Sequence, residues 1–204
     1  CINRLIEPTE GQIVWNSFDI TAASQDEMRR VRRKIGMVFQ HFNLVTRSKV
    51  ITNVLSGRLG YVNPAFSLLN RFSQSDVQMA LRQLERVGIA DQAYKRADEL
   101  SGGQQQRVGV ARAMMQEPEM ILADEPVASL DPVLAHSIMQ YLEKLNREDG
   151  VTVLCSLHFL DLVHDYADRA IALNNGRVMF DGPPKKIGDK KFKEIYGKEA
   201  RRVG

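Results

Sequence analysis

The sequence predicts an α/β fold in which a parallel-sheet core carries a helical insertion. In residues 100–187, short apolar strands alternate with helical patterns of about a dozen residues, which implies crossover connections and a parallel sheet covered on both faces. Residues 41–99 lack this alternation and are mostly helical in pattern. A composition of 44% hydrophobic and 26% charged residues is globular, which excludes a disordered, collagen-like or coiled-coil chain.

The domain organisation follows from the same patterns. A length of 204 residues suits one domain of ordinary size with a small inserted lobe. We predict an α/β core formed by residues 1–40 and 100–187, a helical subdomain at 41–99 and a basic C-terminal tail at 188–204.

Cysteine content and hydropathy indicate the compartment. Two cysteines, Cys1 and Cys155, cannot build a disulfide framework, so we expect a reducing environment. The longest apolar runs, such as residues 151–157, are too short to cross a bilayer, and no signal or transit peptide opens the chain. We therefore expect a soluble, cytosolic protein.

Charge is unevenly placed along the chain. The net charge is +3, but residues 185–202 hold eight Lys or Arg and three Asp or Glu, which leaves the remainder slightly acidic. A near-neutral body disfavours a duplex-binding domain, since such domains present a basic face. We interpret the tail and a second basic run at 29–34 as solvated faces. The alternatives are contact of the tail with anionic lipid and of the run with phosphates.

The first forty residues predict four elements. Pro8 and Gly11 break the chain after residues that resemble the last turns of a helix, and Ser24 with Glu27 forms a capping box that opens the next helix. The elements are the end of a helix at 1–6, strand and turn at 12–20, a helix from about 24 to 34, and a strand at 35–39 that ends on Gln40.

The later elements follow in a regular order. The clearest helix spans residues 75–87 and is closed by Gly88, a common helix-stopping residue. The others are helices at 104–115, at 132–147 and from about 159, and strands at 120–123, 151–157, 170–173 and 178–180, of which the last two are joined at Gly176.

The segment Leu100-Ser101-Gly102-Gly103-Gln104 carries the first functional signal. Two glycines behind a serine at a helix start leave backbone N–H groups unpaired, and the helix dipole adds positive potential, so such a terminus can receive a phosphate. Ser101 and Gln104 also fit a capping box that needs no ligand. The segment alone leaves both interpretations open.

A pair of carboxylates follows the next strand. Residues 120–123 are apolar and are followed by Asp124, Glu125 and Pro126. Ligands bind at the carboxyl ends of strands in parallel sheets. Asp124 can hold Mg²⁺ there, directly or through water, and Glu125 can orient or deprotonate a water molecule. Two acids in a surface turn are the alternative.

Three further residues lie at comparable places. Asp131, in Ser129-Leu130-Asp131 before a proline, fits a plain helix N-cap. His158 follows the strand 151–157 and can cap local backbone or, as a neutral imidazole, hydrogen-bond a terminal phosphate. Gln40 ends the strand 35–39. Each of these residues is weak evidence by itself.

Taken in order along the chain, these features resemble the ATP-binding subunits of ABC transporters. The resemblance covers essentially the whole chain, and LSGGQQQR and ILADEP are highly specific for the family. It implies a P-loop NTPase core of the RecA type with a helical insertion. It also implies one role for each motif residue: Gln40 as the Q-loop glutamine that senses the γ-phosphate and the membrane subunit, Ser101, Gly102, Gly103 and Gln104 as the signature motif, Asp124 and Glu125 as the Walker B pair, Asp131 as the D-loop acid, and His158 as the switch histidine. Gln40 and Asp124 would hold Mg²⁺.

Three shorter segments are similar to the ATPases of phosphonate importers. They are NVLSGRLGY at 53–61, IYG at 195–197 and QHFNLV at 40–45. Because they lie outside the chemistry, they indicate a subfamily only.

One departure from the family pattern is serious. The P-loop G-x-x-x-x-G-K-[ST], which cradles the β- and γ-phosphates, does not occur in the 204 residues, nor does the aromatic residue that stacks on adenine in the family. Since Glu125 and His158 are intact, we interpret the departure as loss of an N-terminal segment and not as decay of the site. We expect residues 1–204 as they stand to be inactive.

The resemblance implies an ATP-hydrolysing subunit that energises import of a phosphonate or related phosphorus oxyanion. It would use ATP and Mg²⁺, form a head-to-tail dimer with a second ATPase subunit, and lie beneath transmembrane permease subunits at the cytoplasmic face of the inner membrane. A separate extracytoplasmic solute-binding protein would bind the cargo, and no nucleic acid would be involved. The alternatives are an importer ATPase for another small solute, a soluble ABC ATPase acting on nucleic acid or ribosomes, and a nucleotide-free interaction module.

Overall fold

The computed structural model describes residues 1–62, 71–128 and 130–196. Its strands are β1 (Val14–Trp15), β2 (Phe18–Asp19), β3 (Ile35–Val38), β4 (Met120–Asp124), β5 (Thr152–Ser156), β6 (Ala170–Asn174) and β7 (Arg177–Gly182). Its α-helices are α1 (Gln25–Lys34), α2 (Val50–Leu55), α3 (Gln74–Arg86), α4 (Gly102–Met114), α5 (Pro132–Asp149), α6 (Leu160–Tyr166) and α7 (Asp189–Tyr196).

The central sheet is parallel and has the strand order β3-β4-β5. β4 lies in the middle, with Ile35 opposite Met120 on one side and Asp124 opposite Ser156 on the other. The inward-facing side chains of β4, Ile121 and Ala123, are buried, as expected for the middle strand of a parallel sheet. All three strands therefore end at the same edge, and this edge carries the polar residues singled out above.

The last two strands form a separate antiparallel hairpin. Asn175 and Gly176 between them have φ angles of 48° and 73°, the left-handed pair that a tight two-residue turn requires. This turn folds β7 straight back on β6, so the prediction that the later strands all join one parallel sheet is wrong for β6. Coverage on both faces is also incomplete, since Leu154 of β5 is 44% exposed.

The helical stretch between β3 and α4 packs against the sheet through one hydrophobic core. Val50 and Val54 of α2 and Leu84 of α3 join Val108 of α4 and Ile121 of β4 in this core. Short 3₁₀ helices at Ser56–Arg58, Ala90–Gln92 and Ala97–Glu99 connect the longer elements. The Gly/Pro-containing stretch expected to be irregular falls at 63–70, outside the described residues.

A close approach of backbones fixes the first 3₁₀ helix against α4. A Cβ atom added at Gly57 would lie 2.1 Å from the carbonyl oxygen of Arg112, a separation that no side chain can occupy. Position 57 is therefore restricted to glycine by packing.

Helix caps are formed where the sequence signals them. Ser24 and Glu27 make the predicted capping box of α1, and α3 is followed by Gly88 at a φ of 71°.

The helical ending predicted for residues 1–6 is wrong, because these residues form turns. The Arg4 N–H donates to the Cys1 carbonyl, and Arg4 has a left-handed φ. A segment as short as residues 1–6 forms too few i→i−4 hydrogen bonds to stabilise a helix.

The segment that follows β7 is partly anchored. Phe192 and Ile195 of α7 are buried together with Leu160 and Ile187 in a small second core. The basic tail is thus not wholly a solvated face, and its last residues, 197–204, lie outside the described part. In the described ranges, no helix combines the length and the apolar character that crossing a membrane would need.

Candidate functional site

Three strand ends converge on the carboxylate of Glu125. Gln40 follows β3, Glu125 follows β4 directly, and His158 follows β5. Gln40 Nε2 donates a hydrogen bond to Glu125 Oε2 at 3.1 Å, and His158 Nε2 lies 2.5 Å from Glu125 Oε1. The structure thus brings together three residues that are 85 and 33 positions apart in the chain.

The backbone at Glu125 aims this carboxylate. Its φ of 44° is left-handed, a conformation that is costly for a residue with a side chain and that clusters at functional sites. The Glu125 N–H donates to Ser156 Oγ at 2.9 Å, and that hydroxyl donates to Asp124 Oδ1 at 2.9 Å. Ser156 therefore ties both acids to β5.

Ser156 was missed by the sequence analysis. Its only signal is its position opposite Asp124 in the parallel ladder, and this register cannot be read from the sequence without knowing how the strands pair. A serine at the end of an apolar strand is otherwise unremarkable.

The accessibilities of the cluster differ among its members. The side chain of His158 is 66% exposed and that of Glu125 is 25% exposed, while Asp124 is exposed at the strand end. Both oxygens of the Glu125 carboxylate are already engaged by Gln40 and His158. A water molecule can therefore reach an oxygen of Glu125 only by displacing or joining one of these donors.

The residues present fit a Mg²⁺ ion whose remaining ligands come from the substrate and water. Asp124 offers an exposed carboxylate, and Ser156 engages Oδ1 of this group. The described ranges contain no group of three or more acidic, histidine or cysteine side chains suited to a metal. Mg²⁺ is commonly held by one or two carboxylates plus substrate phosphates and water, and this donor set matches that pattern.

The start of α4 leaves backbone donors available. Ser101 is the N-cap, its Oγ accepts from the Gln104 N–H at 3.4 Å, and Gln104 Oε1 accepts from the Ser101 N–H at 3.0 Å. The capping box predicted as an alternative is therefore present. It engages two of the amides, while those of Gly102 and Gly103 lie in the first turn, where no intrahelical acceptor exists. Ser101 and Gly102 are exposed.

Gly103 packs closely against the Leu134 side chain of α5. A Cβ atom at this position would lie 2.7 Å from Leu134 Cδ1, whereas one at Gly102 would meet nothing closer than 3.8 Å. Asp131 caps α5, with Oδ1 accepting from the Leu134 N–H at 3.0 Å, as its plain N-cap interpretation predicts. The starts of α4 and α5 are thus in contact, and Ser129 lies outside the described residues.

Comparison with known proteins identifies the class. The sequence model of the ABC transporter family matches residues 1–128. The chain therefore belongs to the ABC transporter family, whose ATP-binding members bind ATP together with Mg²⁺.

Two of the similar proteins are phosphonates import ATP-binding proteins. The chain is 51% identical over 200 residues, 98% of its length and 78% of the relative, to the phosphonates import ATP-binding protein PhnC 3 of Halalkalibacterium halodurans. It is 54% identical over 197 residues to PhnC 1 of the same organism, covering 97% of this chain and 77% of that protein.

Solved structures agree with the fold. An ATP-binding cassette of an ABC transporter in its ADP conformation matches with a TM-score of 0.81 and 31% identity, over 96% of this chain and 80% of that one. A dimeric cassette in a post-hydrolysis state, bound to ADP and Pi, matches with a TM-score of 0.77 and 35% identity, over 90% and 77% respectively. The predicted α/β core with a helical insertion is confirmed.

Proposed function

We propose that this chain is the ATP-hydrolysing subunit that energises import of a phosphonate, or a related phosphorus oxyanion, through an ABC transporter. The observation that carries the hydrolytic part is the Glu125 carboxylate, held at the end of β4 by donors from the ends of β3 and β5. The cargo class is supported by the relatives named phosphonates import ATP-binding proteins.

In the proposed reaction Glu125 is the general base. As the oxygen of a water molecule bonds to the γ-phosphorus, a proton of this water passes to a Glu125 oxygen, and the bond from the γ-phosphorus to the bridging oxygen breaks to leave ADP and phosphate. His158 and Gln40 hold the carboxylate before substrate arrives. His158 then turns its Nε2–H to a γ-phosphate oxygen, which frees one Glu125 oxygen for the water.

Asp124 and Gln40 are the residues that would hold Mg²⁺. When bound, the ion neutralises phosphate charge. Ser156 supports this role, because its hydroxyl fixes Oδ1 of Asp124.

The site is completed by a second subunit in this proposal. Ser101 and Gly102 are exposed at a helix start where the amides of Gly102 and Gly103 have no intrahelical acceptor. We assign Ser101, Gly102 and Gly103 to the nucleotide of the partner in a head-to-tail dimer. Asp131 lies at the adjacent start of α5. Residues 41–99 form a subdomain that contacts permease subunits, with core at 1–40 and 100–187 and a tail at 188–204. The assembly sits at the cytoplasmic face of the cell membrane, and an extracytoplasmic protein supplies the cargo.

The test uses an ATPase-competent chimera. Since residues 1–204 contain no P-loop, we expect no Mg²⁺-dependent hydrolysis from them alone. In the chimera, the N-terminal segment of PhnC 3 of Halalkalibacterium halodurans is joined before Cys1 to supply the P-loop. This chimera should hydrolyse ATP. Turnover by residues 1–204 alone, abolished by Glu125→Gln, would contradict the assignment.

The dimer is tested by mixing two inactive chimeras. Ser101→Arg should crowd the γ-phosphate of the partner's nucleotide, and Glu125→Gln should remove the base of its own site. In a mixed dimer one site carries both defects and the other carries neither, so hydrolysis should return. Full activity of Ser101→Arg by itself would exclude this role of the helix start.

A further inference from the structure

The turn that follows Gln40 lies along the side of α4. A Cβ atom at Gly102 would be 3.8 Å from the ring of Phe42, and one at Gly109 would be 3.8 Å from the Phe42 carbonyl oxygen. Phe42 therefore spans two turns of the helix that begins with the signature motif. A Cβ atom at either glycine position would make an ordinary van der Waals contact with Phe42.

Arg112 lies three residues after Gly109 on α4 and binds the turn that follows Gln40. Its Nη1 donates to the Asn43 carbonyl at 2.5 Å and its Nη2 to the Phe42 carbonyl at 2.8 Å. Its guanidinium carbon lies 6.0 Å from the centre of the Phe39 ring. A planar guanidinium can serve two neighbouring acceptors at once, which the single ammonium of lysine cannot match.

Burial makes these two bonds important to Arg112. Desolvation lowers the pKa of its guanidinium, and across the described ranges no carboxylate forms an ion pair with it. Arg112 is half-buried, and a cation partly removed from water without an acidic partner is compensated by hydrogen bonds. The two carbonyls of the turn supply this compensation.

The turn itself needs an external restraint. Phe42 and Asn43 have φ angles of 58° and 48°, and the left-handed conformation is unfavourable for a bulky aromatic residue. Within the turn, the Phe42 N–H reaches the Phe39 carbonyl at 3.3 Å, a long bond, and the Asn43 N–H donates to the His41 carbonyl at 2.5 Å. Arg112 fixes the carbonyls of both left-handed residues, two and three positions after Gln40.

We propose that Arg112 is a positioning residue, which ties α4 to the turn after Gln40 and thereby sets where the Gln40 amide meets Glu125. A displacement of the signature motif at the start of α4 would then move Gln40 against the general base of the same subunit. The inference rests on the proposed function for the role of Glu125, but the influence of Arg112 on Gln40 through the turn can be tested without ATP.

The first experiment observes Gln40 directly in residues 1–204. In ¹⁵N-labelled protein, the Gln40 side-chain amide signals are assigned by their loss in Gln40→Ala. Arg112→Met keeps the length of the stem but removes the fork, so the signals should move toward those of a free glutamine and exchange with water roughly tenfold faster, as expected for local opening. Arg112→Lys keeps the charge and should give an intermediate shift.

Arg107→Met is the matched control. Arg107 is also on α4 and also donates from two nitrogens, to the Val87 carbonyl and to Ser137 Oγ, both at 2.9 Å. Its loss should leave the Gln40 signals unchanged. Unchanged Gln40 signals in folded Arg112→Met, or equal shifts in Arg107→Met, would overturn the proposal. If Arg112→Met does not fold, unchanged signals in Arg112→Lys overturn it.

A second experiment separates positioning from simple stabilisation. In the chimera, Arg112→Met should lower kcat and leave the KM for ATP nearly unchanged, and its combination with Gln40→Ala should be no slower than Gln40→Ala alone. Multiplied defects would mean that Arg112 does not act through Gln40. Absence of hydrolysis by the unmodified chimera would count against the proposed function, whereas the Gln40 signals would still decide the role of Arg112.

Discussion

His158 and Glu125 meet across the neighbouring ends of β5 and β4, with 2.5 Å between Nε2 and Oε1. A carboxylate can only accept, so the proton of the imidazole lies on Nε2 in this arrangement. His158 is more than twice as exposed as Glu125, so it can turn outward while the acid stays in place. This pairing links Glu125, the proposed general base, to an imidazole that can turn away from it.

Glu125→Gln should keep ATP binding in the chimera but slow hydrolysis by about 10²–10⁴-fold, the usual loss on removing a general base. The amide has the volume of the acid but cannot take the proton of water. Single-turnover hydrolysis and nucleotide binding measure the two effects. Glu119→Gln, which alters a surface pair with Lys34, is the control and should hydrolyse at the parent rate. A parent rate for Glu125→Gln would show that Glu125 is not the base.

Cys155 should react with iodoacetamide far more slowly than Cys1. Burial, with a smaller contribution from the charge of Asp124, raises the pKa of the Cys155 thiol to about 12. At pH 8 a thiol of pKa about 12 is about one part in ten thousand thiolate, against about a quarter for an ordinary pKa of about 8.5. Peptide mass spectrometry between pH 7 and 10 measures both rates, and equal rates at pH 8 would contradict the burial.

The same shift predicts how stability depends on pH. A thiol whose pKa is raised on folding keeps its proton longer in the folded state than in the unfolded chain. Its contribution is therefore fully present below the unfolded pKa and is lost as pH rises toward about 12. Urea unfolding at pH 7 and pH 10 measures this effect in the parent and in Cys155→Ala. Between the two pH values, the free energy of unfolding should fall more in the parent than in Cys155→Ala.

Gly57→Ala should lower the free energy of unfolding by about 1–3 kcal/mol, the usual cost of overpacking. The added Cβ would lie 2.1 Å from the Arg112 carbonyl oxygen, which is backbone and cannot rotate away. Gly109→Ala is the control, because its Cβ would meet ordinary contacts at 3.8 Å and alanine favours helix. In urea unfolding, the free energy of unfolding relative to the parent should fall for Gly57→Ala and rise for Gly109→Ala.

Gln106→Met should stabilise the protein. Gln106 is 1% exposed, and in the described part of the chain neither atom of its amide has a hydrogen-bond partner. Unpaired buried polar atoms cost about 1–3 kcal/mol, and methionine fills a similar volume without them. Gln105→Met should not stabilise, because Gln105 Nε2 donates to the Leu100 carbonyl at 3.0 Å. A thermal melting temperature no higher for Gln106→Met than for the parent would refute the prediction.

Local signals made the helix starts predictable. Ser24 with Glu27, Ser101 with Gln104, and Asp131 before Pro132 each state a helix start within four residues, and the structure has helices at all three. The ends of β3, β4 and β5 were predictable to within one or two residues for a similar reason, since apolar runs stop at polar residues there.

Long-range contacts were not predictable from the sequence. The hydroxyl of Ser156 reaches Asp124 only because of the parallel register, and Arg112 meets the Phe42 carbonyl across 70 residues. The turn at Gly176 between β6 and β7 was predicted, but the separation of β6 from the parallel sheet was not, because the strands before β6 alternate with helices. Alternation predicts that strands are parallel but does not say which strand leaves the series.

The separation of Gln40 and Glu125 by 85 residues has a consequence for the way this site arises during folding. Parallel pairing of distant strands must first close long loops, and the entropy of closure makes such contacts slow to form. The capped helices can form early from local interactions, whereas the three strand ends meet only after β3, β4 and β5 have found one another. The carboxylate of Glu125 therefore acquires both of its donors at a late step, when most of the chain is already compact.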